Sequence, residues 1–284
     1  MSNAPDAPPP AQSAANPPSP LATPLAWDLV ADDYTAELVP QFERFASDAL
    51  RLGGTKPGSR ILDVATGPGS LALLAAPTAA SVAALDFSET MIARLRDRAA
   101  AACVTNVEPR LGDGQALPYD DESFDAAFSM FGLIFFPDRV RGLSEMRRCL
   151  VPGGRAVVAS WKPFDDVPIM KLLFAMLREV LPHLPFGQGK APLGSVDEFQ
   201  TEFAAAGFAA VDVHPVSHGA DAPSTADLWA SFQRTLAPLV LLQRKMGAAA
   251  WAPVREQMGK RLEEELGAGP QRMDLHAWLG VASR

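Results

Sequence analysis

Three aspartates stand at or just beyond the ends of short apolar runs: Asp63 in Ile61-Leu-Asp-Val64, Asp86 closing Ser81-Val-Ala-Ala-Leu-Asp86, and Asp113 after Val107–Leu111. Between the first two lies Gly67-Pro-Gly-Ser70, a turn whose glycines let the backbone bend sharply and approach a ligand without a Cβ in the way. Asp86 follows Gly67 by 19 residues, where a carboxylate can accept hydrogen bonds from both hydroxyls of a ribose. Asp63 suits a cofactor carrying a free amino acid group, and Asp113 can accept from an adenine amino group. The turn alone is ambiguous, because Gly67-Pro-Gly-Ser-Leu-Ala72 also fits the G-x-G-x-x-A form of the dinucleotide fingerprint. A nicotinamide site usually has an apolar residue where Asp63 stands, and no Tyr-x-x-x-Lys pair accompanies it here.

These residues need a scaffold of alternating strands and helices. The apolar runs Ile61–Val64, Ser81–Asp86, Val107–Leu111, Phe124–Met130 and Arg155–Trp161 are predicted as five strands. Ser88 caps the helix after Asp86, with Met91, Leu95 and Ala99 on its inner face. Val211–Val216 and Met273–Ala282 are predicted as the sixth and seventh strands, and Val196–Ala206 as a helix. The alternation implies a mostly parallel sheet with helices on both faces. Ahead of it, Trp27, Val30, Tyr34, Leu38, Phe42, Phe45 and Leu50 recur at helical spacing, which predicts one helix stopped by Gly53-Gly54. Residues 1–24 hold eight of the 26 prolines and one charge, the composition of a disordered tail. Residues 25–284 are expected to fold as a single domain, with helical lid insertions near 163–195 and 220–268.

The successive segments LDVATGPG, ALDFSETMI, GDGQALPYDDESFD and RCLVPGGRAVVASW resemble the motifs of class I S-adenosylmethionine-dependent methyltransferases, above all the group that includes the ubiquinone and menaquinone biosynthesis C-methyltransferases. The likeness covers about residues 25–161. It implies a Rossmann-like, seven-stranded sheet and S-adenosyl-L-methionine as cofactor. By the same likeness Asp63, Ala65, Thr66, Gly67 and Gly69 surround the methionine part, Asp86 holds the ribose and Phe87 packs on the adenine. Asp113 and Gly114 meet the adenine edge, and Ser129 and Met130 lie beside the sulfonium. Met91 is counted with the cofactor contacts. Tyr34 either closes over the cofactor or packs its helix. The chain departs from the common D-x-G-x-G-x-G pattern at Ala65, which replaces the first glycine.

Ligands of open α/β sheets sit beyond the carboxyl ends of the strands. That edge carries Phe131 and Trp161, and the insertions carry Phe174, Trp229 and Phe232, so these five residues are the candidate acceptor contacts. Their character favours a small apolar or aromatic acceptor over a phosphorylated one, with oxygen, nitrogen and carbon all open as the methylated atom. A base is needed only for a neutral hydroxyl or a carbon acid, and His183, in the first insertion, is the preferred candidate. His214 and His276 are expected to be structural, and His218 to lie far from the cofactor. No metal-ligand spacing appears, so no metal is expected.

Composition narrows the partners. Lys and Arg number 25 against 33 Asp and Glu, a net charge of −8, which argues against nucleic acid. Two isolated cysteines, Cys103 and Cys149, exclude a disulfide framework and suit a reducing cytoplasm. No apolar stretch reaches the roughly 20 residues of a membrane span, and no secretory leader is recognisable. Homodimerisation is left open. A non-catalytic protein that keeps the cofactor fold, and more remotely a nicotinamide-dependent oxidoreductase, are the competing readings.

Overall fold

The computed structural model describes residues 19–181 and 192–284. Its strands are β1 (Arg60–Val64), β2 (Ser81–Asp86), β3 (Val107–Leu111), β4 (Phe124–Met130), β5 (Leu150–Trp161), β6 (Asp212–Ala222) and β7 (Gln271–Ser283). They form one sheet in the order β3-β2-β1-β4-β5-β7-β6. β7 runs antiparallel to β5 and β6, and every other pairing is parallel. This is the Rossmann-like sheet of the class I methyltransferases. The chain reverses its direction of travel across the sheet between β1 and β4, and the carboxyl ends of those strands are where such folds open a ligand crevice.

The helices are α1 (Pro24–Asp28), α2 (Ala31–Glu37), α3 (Val39–Leu52), α4 (Ser70–Ala75), α5 (Glu89–Ala101), α6 (Arg139–Cys149), α7 (Pro168–Val180), α8 (Val196–Ala205), α9 (Thr225–Thr235), α10 (Ala237–Met246) and α11 (Ala248–Leu266). Side chains alternate across the sheet. Ile61, Val82 and Phe128 pack with Phe45 of α3 and Leu71 of α4, whereas Leu62, Val64 and Val158 pack with Leu143 and Met146 of α6 and Phe199 of α8. With both faces covered, the inner strands are apolar almost throughout. Side-chain caps fix the helix starts: Ser88, Asp138, Ser195 and Ser224 accept from the backbone N–H of Met91, Arg141, Glu198 and Asp227.

Several expectations need correction. The single helix expected from Trp27 to Leu50 is three, broken at Leu29-Val30 and at Leu38. Pro40 has no N–H to continue the α2 ladder, and its fixed φ instead suits the first turn of α3. Residues 19–24, expected in the tail, carry a 3-10 turn at Pro20–Ala22 and the start of α1. The Trp27 Nε1 donates to the Leu21 carbonyl at 2.9 Å, which ties that turn to α1. β5 begins at Leu150 rather than Arg155, because a register shift opposite Phe124 and Ala126 absorbs Pro152-Gly153-Gly154 within the strand. β6 and β7 pair along Asp212–Ala222 and Gln271–Val281, and this longer hairpin carries α9–α11 between its strands.

Candidate active site

The backbone turns sharply where β1 and β4 end. Ala65 (φ +56°) and Phe131 (φ +62°) both hold the left-handed conformation, at about 1–3 kcal/mol each for a side-chain-bearing residue. Ala65 therefore occupies a position whose backbone favours glycine. Gly132 makes room for it, since a Cβ there would run into the Ala65 Cβ. Gly67 (φ +55°) faces open space, with nothing within 4 Å of a Cβ built on it. Gly69 (φ +81°) starts α4, and a Cβ there would strike Leu95.

The turn is held by the two aspartates the sequence singles out. The Thr66 hydroxyl donates to Asp63 Oδ2 at 2.6 Å. Asp86 accepts from the Gly67 N–H at 2.8 Å and the Ser88 N–H at 2.9 Å. Both carboxyls are almost wholly buried, 1% and 5% exposed. Burial pushes Asp63 up to about 7, against the opposing hydrogen bonds from Thr66 and the Ala72 N–H. It pushes Asp86 up to about 6, opposed by the N–H groups of Ser88, Gly67 and Phe87. A carboxylate has about four lone-pair sites, so Asp86 retains acceptor capacity beyond these bonds. Burial, reinforced by Asp86, also raises the Tyr34 phenol well above its ordinary value.

A cavity of about 1480 Å³ opens beyond these strand ends. That exceeds the roughly 300–1,000 Å³ of a site for one small molecule. Its polar end is lined by Ala65, Gly67, Asp86, Phe87, Asp113 and Gly114, with Met91 beside them. Tyr34 and Met130 line it too, with Tyr34 stacked on Phe42 at 5.4 Å, and a second recess of about 40 Å³ that they share reaches Asp63 and Thr66. Beyond lie Phe131, Trp161, Phe174 and Phe232. Phe131 and Trp161 stack at 3.9 Å and 18°, and Phe42 meets both edge-on. Across the rim, Glu37 of α2 accepts from Ser231 at 2.5 Å and pairs with Arg234 of α9 at 2.7 Å.

Three residues named from the sequence reach neither space. Ser129 is fully buried and its hydroxyl accepts from the Leu133 N–H at 3.1 Å, so it braces the turn after β4. Gly69 packs on Leu95. Trp229 points toward α11, where its Nε1 donates to the Arg255 carbonyl and its ring lies 6.4 Å from Trp251. His183 lies outside the described residues. His214 and His276 sit within β6 and β7, away from the cavity lining. His218 pairs with Asp48 at 2.9 Å and packs on Phe45, also outside the lining. No group of three metal-ligating side chains occurs among the described residues. Among the lining residues that sequence reading passed over are Leu21, Trp27, Phe42 and Phe164. For Trp27 and Phe42 a signal existed, since both lie in the aromatic-rich run with Tyr34.

The strand order, with the glycine turn after β1 and an aspartate at the end of β2, is that of the class I S-adenosylmethionine-dependent methyltransferase fold. A family described as "Methyltransferase domain" matches residues 61–154. The chain is 35% identical over 173 residues to a ubiquinone/menaquinone biosynthesis C-methyltransferase of Geobacter sulfurreducens, covering 57% of this chain and 68% of that one. It is 31% identical over 195 residues to the same-named protein of Geotalea daltonii, covering 63% and 81%. The YcgJ protein of Bacillus subtilis shares the fold, with TM-score 0.57, 18% identity, and coverage of 84% of this chain and 97% of that one. The chain belongs to the class I S-adenosylmethionine-dependent methyltransferases and is related to the ubiquinone/menaquinone C-methyltransferases. Among the described residues, no helix is long and apolar enough to cross a membrane.

Proposed function

We propose that this cavity holds S-adenosylmethionine at its polar end and a small apolar or aromatic acceptor at its aromatic end. One observation carries the reading: a single space joins Asp86 and the open backbone at Gly67 to the Phe131–Trp161 stack, and it is larger than one ligand requires. The residues fit the cofactor. Gly67 leaves a cradle that any side chain would fill, Asp86 offers acceptors to ribose hydroxyls, and Asp63 offers a buried carboxylate to an ammonium group through the small recess. In this reading Asp113 and Gly114 meet the nucleobase edge, while Met130 and Tyr34, which line both the cavity and the recess, lie beside the sulfonium and close over the cofactor.

When bound, the cofactor supplies a methyl carbon already activated by its sulfonium. The chain's own part is to position and to exclude water, and orientation of this kind is worth about 7–11 kcal/mol in favourable cases. Phe131, Trp161, Phe174 and Phe232 offer flat apolar surface to the acceptor. The two relatives are named for carbon methylation in quinone biosynthesis, which is in keeping with a ring-bearing acceptor. His183 is retained as the candidate base for an acceptor that must lose a proton. Residues 25–284 act in this reading as one domain whose lids are the segments near 163–195 and 220–268. The partner is a small molecule, not nucleic acid, and the compartment is the cytoplasm.

The test is methyl transfer from radiolabelled S-adenosylmethionine to a panel of phenols, naphthols, quinols, small amines and transfer RNA. Labelled product is expected from apolar ring-bearing acceptors. Label confined to RNA or to polar amines would overturn the acceptor assignment.

A further inference from the structure

We propose that Trp27 and Asp28 complete the nucleobase end of the cofactor site, Trp27 as its outer wall and Asp28 as the positioning residue that fastens this wall to α5; the inference rests on reading the cavity as an adenosyl cofactor site. The motifs of the sheet supply the inner surfaces of that end, at Phe87, Asp113 and Gly114. The segment before α2 supplies further surface to the same cavity, through Leu21, Ala22 and Trp27. The Trp27 ring is fixed on two sides. Its Nε1 donates to the Leu21 carbonyl at 2.9 Å, and its centroid lies 4.9 Å from that of Phe135, which also lines the cavity. With its one polar atom engaged, the indole offers the site only apolar surface, suited to a purine ring.

Asp28 joins this wall to the ribose carboxylate. Its Oδ1 accepts from the Ser88 hydroxyl at 2.5 Å and from the Thr90 N–H at 3.3 Å, across the first turn of α5. The Ser88 N–H in turn donates to Asp86 Oδ1. A carboxylate at that helix end also meets the favourable end of the helix dipole. Behind the wall, Ala26, Val30 and Ala31 are buried against Met91 of α5 and Ala237 of α10, so the segment is wedged between the cofactor side and the second lid. A ligand held against Trp27 would hold the whole wedge in place.

The test uses the full chain with two probes, S-adenosylhomocysteine and 5′-methylthioadenosine, which share the nucleoside but not the amino acid group. By calorimetry, Trp27→Ala is expected to weaken both about tenfold or more, the scale of one lost base–aromatic stack. Trp27→Phe should recover most of the loss. Asp28→Ala frees the wall from α5, so that binding must order it, and should weaken both about three- to tenfold; Asp28→Asn, which keeps an acceptor oxygen, should recover part. In the unaltered protein, hydrogen exchange at the Leu29 and Val30 amides, which donate to the Leu25 and Trp27 carbonyls, should slow when S-adenosylhomocysteine is added. If the unaltered protein binds the probes but the variants bind equally well and exchange at those amides is unmoved, this inference falls and the cofactor reading stands. If the unaltered protein binds neither probe, both fall.

Discussion

The two ends of the cavity are built by opposite means. The cofactor end is polar and local: Ala65, Gly67, Asp86 and Asp113 follow or end successive strands, and the backbone at Gly67 faces open space. The acceptor end is largely apolar and long-range, assembled from α3, the ends of β4 and β5, and helices inserted before β6 and within the β6–β7 hairpin, with Lys171, Arg178 and Arg234 also on the lining. One end is set by the strand order of the fold, so its ligand follows from the family. The other is set by insertions whose side chains can be exchanged without disturbing the sheet, which is how one fold serves many acceptors.

The largest expected effect separates the ends directly. Asp86→Ala should weaken S-adenosylhomocysteine roughly 10- to 100-fold, the scale of charge-assisted hydrogen bonds at about 1.5–3 kcal/mol. Phe232→Leu should leave that affinity within about twofold, or about 0.4 kcal/mol at 1.4 kcal/mol per decade. Calorimetry on both variants checks the pair, and equal losses would erase the distinction between the ends.

A second effect belongs to the cofactor end alone. Asp63 titrates near 7 and Asp86 near 6 in the free protein, both raised by burial. A ligand that brings an ammonium group to Asp63 favours its ionised form. Affinity for S-adenosylhomocysteine should therefore be greatest near about pH 8, before the ligand's own ammonium loses its proton, and fall about tenfold by about pH 6, as protonation of Asp63 competes. The same raised values act on the free fold in the opposite sense. The folded state holds protons that the unfolded chain has released above about 4, so this contribution to stability is present at low pH and is lost as pH rises toward 7. Affinity that is flat from pH 6 to about 8 would mean that the ammonium does not meet Asp63.

How much of each end could be read from the chain follows the same division. Asp86, Gly67 and Asp113 were legible because each lies at a strand end and strands announce themselves by apolar runs. Ser129 was not, because neighbours on a strand face opposite sides and nothing in Phe124–Met130 says whether Ser129 or Met130 faces the ligand. On α9, Trp229 and Phe232 look alike in sequence, yet the helix is sandwiched between the cavity and α11, so both of its sides are apolar. The bond between Asp28 and Ser88 spans 60 residues and leaves no local trace.

That sandwich gives the next test. Phe232→Leu should raise the acceptor's KM severalfold, while Trp229→Phe should lower the melting temperature and leave KM alone. Both are conservative enough to cost only about 1–2 kcal/mol of stability. The last effect concerns the left-handed turn at Ala65 between the ends. Gly132→Ala should destabilise by about 1–3 kcal/mol because its Cβ meets that of Ala65, and Ala65→Gly in the same chain should restore most of the loss. Denaturant unfolding of the two single variants and the double variant measures this coupling, and strictly additive losses would mean the two residues do not share the space.

The most direct measurement of the divided cavity is a crystal structure with S-adenosylhomocysteine bound. The ligand should lie with its ribose on Asp86, its adenine between Asp113 and Trp27, and its sulfur beside Met130, leaving the space between Trp161, Phe174 and Phe232 open for the acceptor. A ligand that filled the aromatic end, or that bound without touching Asp86, would contradict the account.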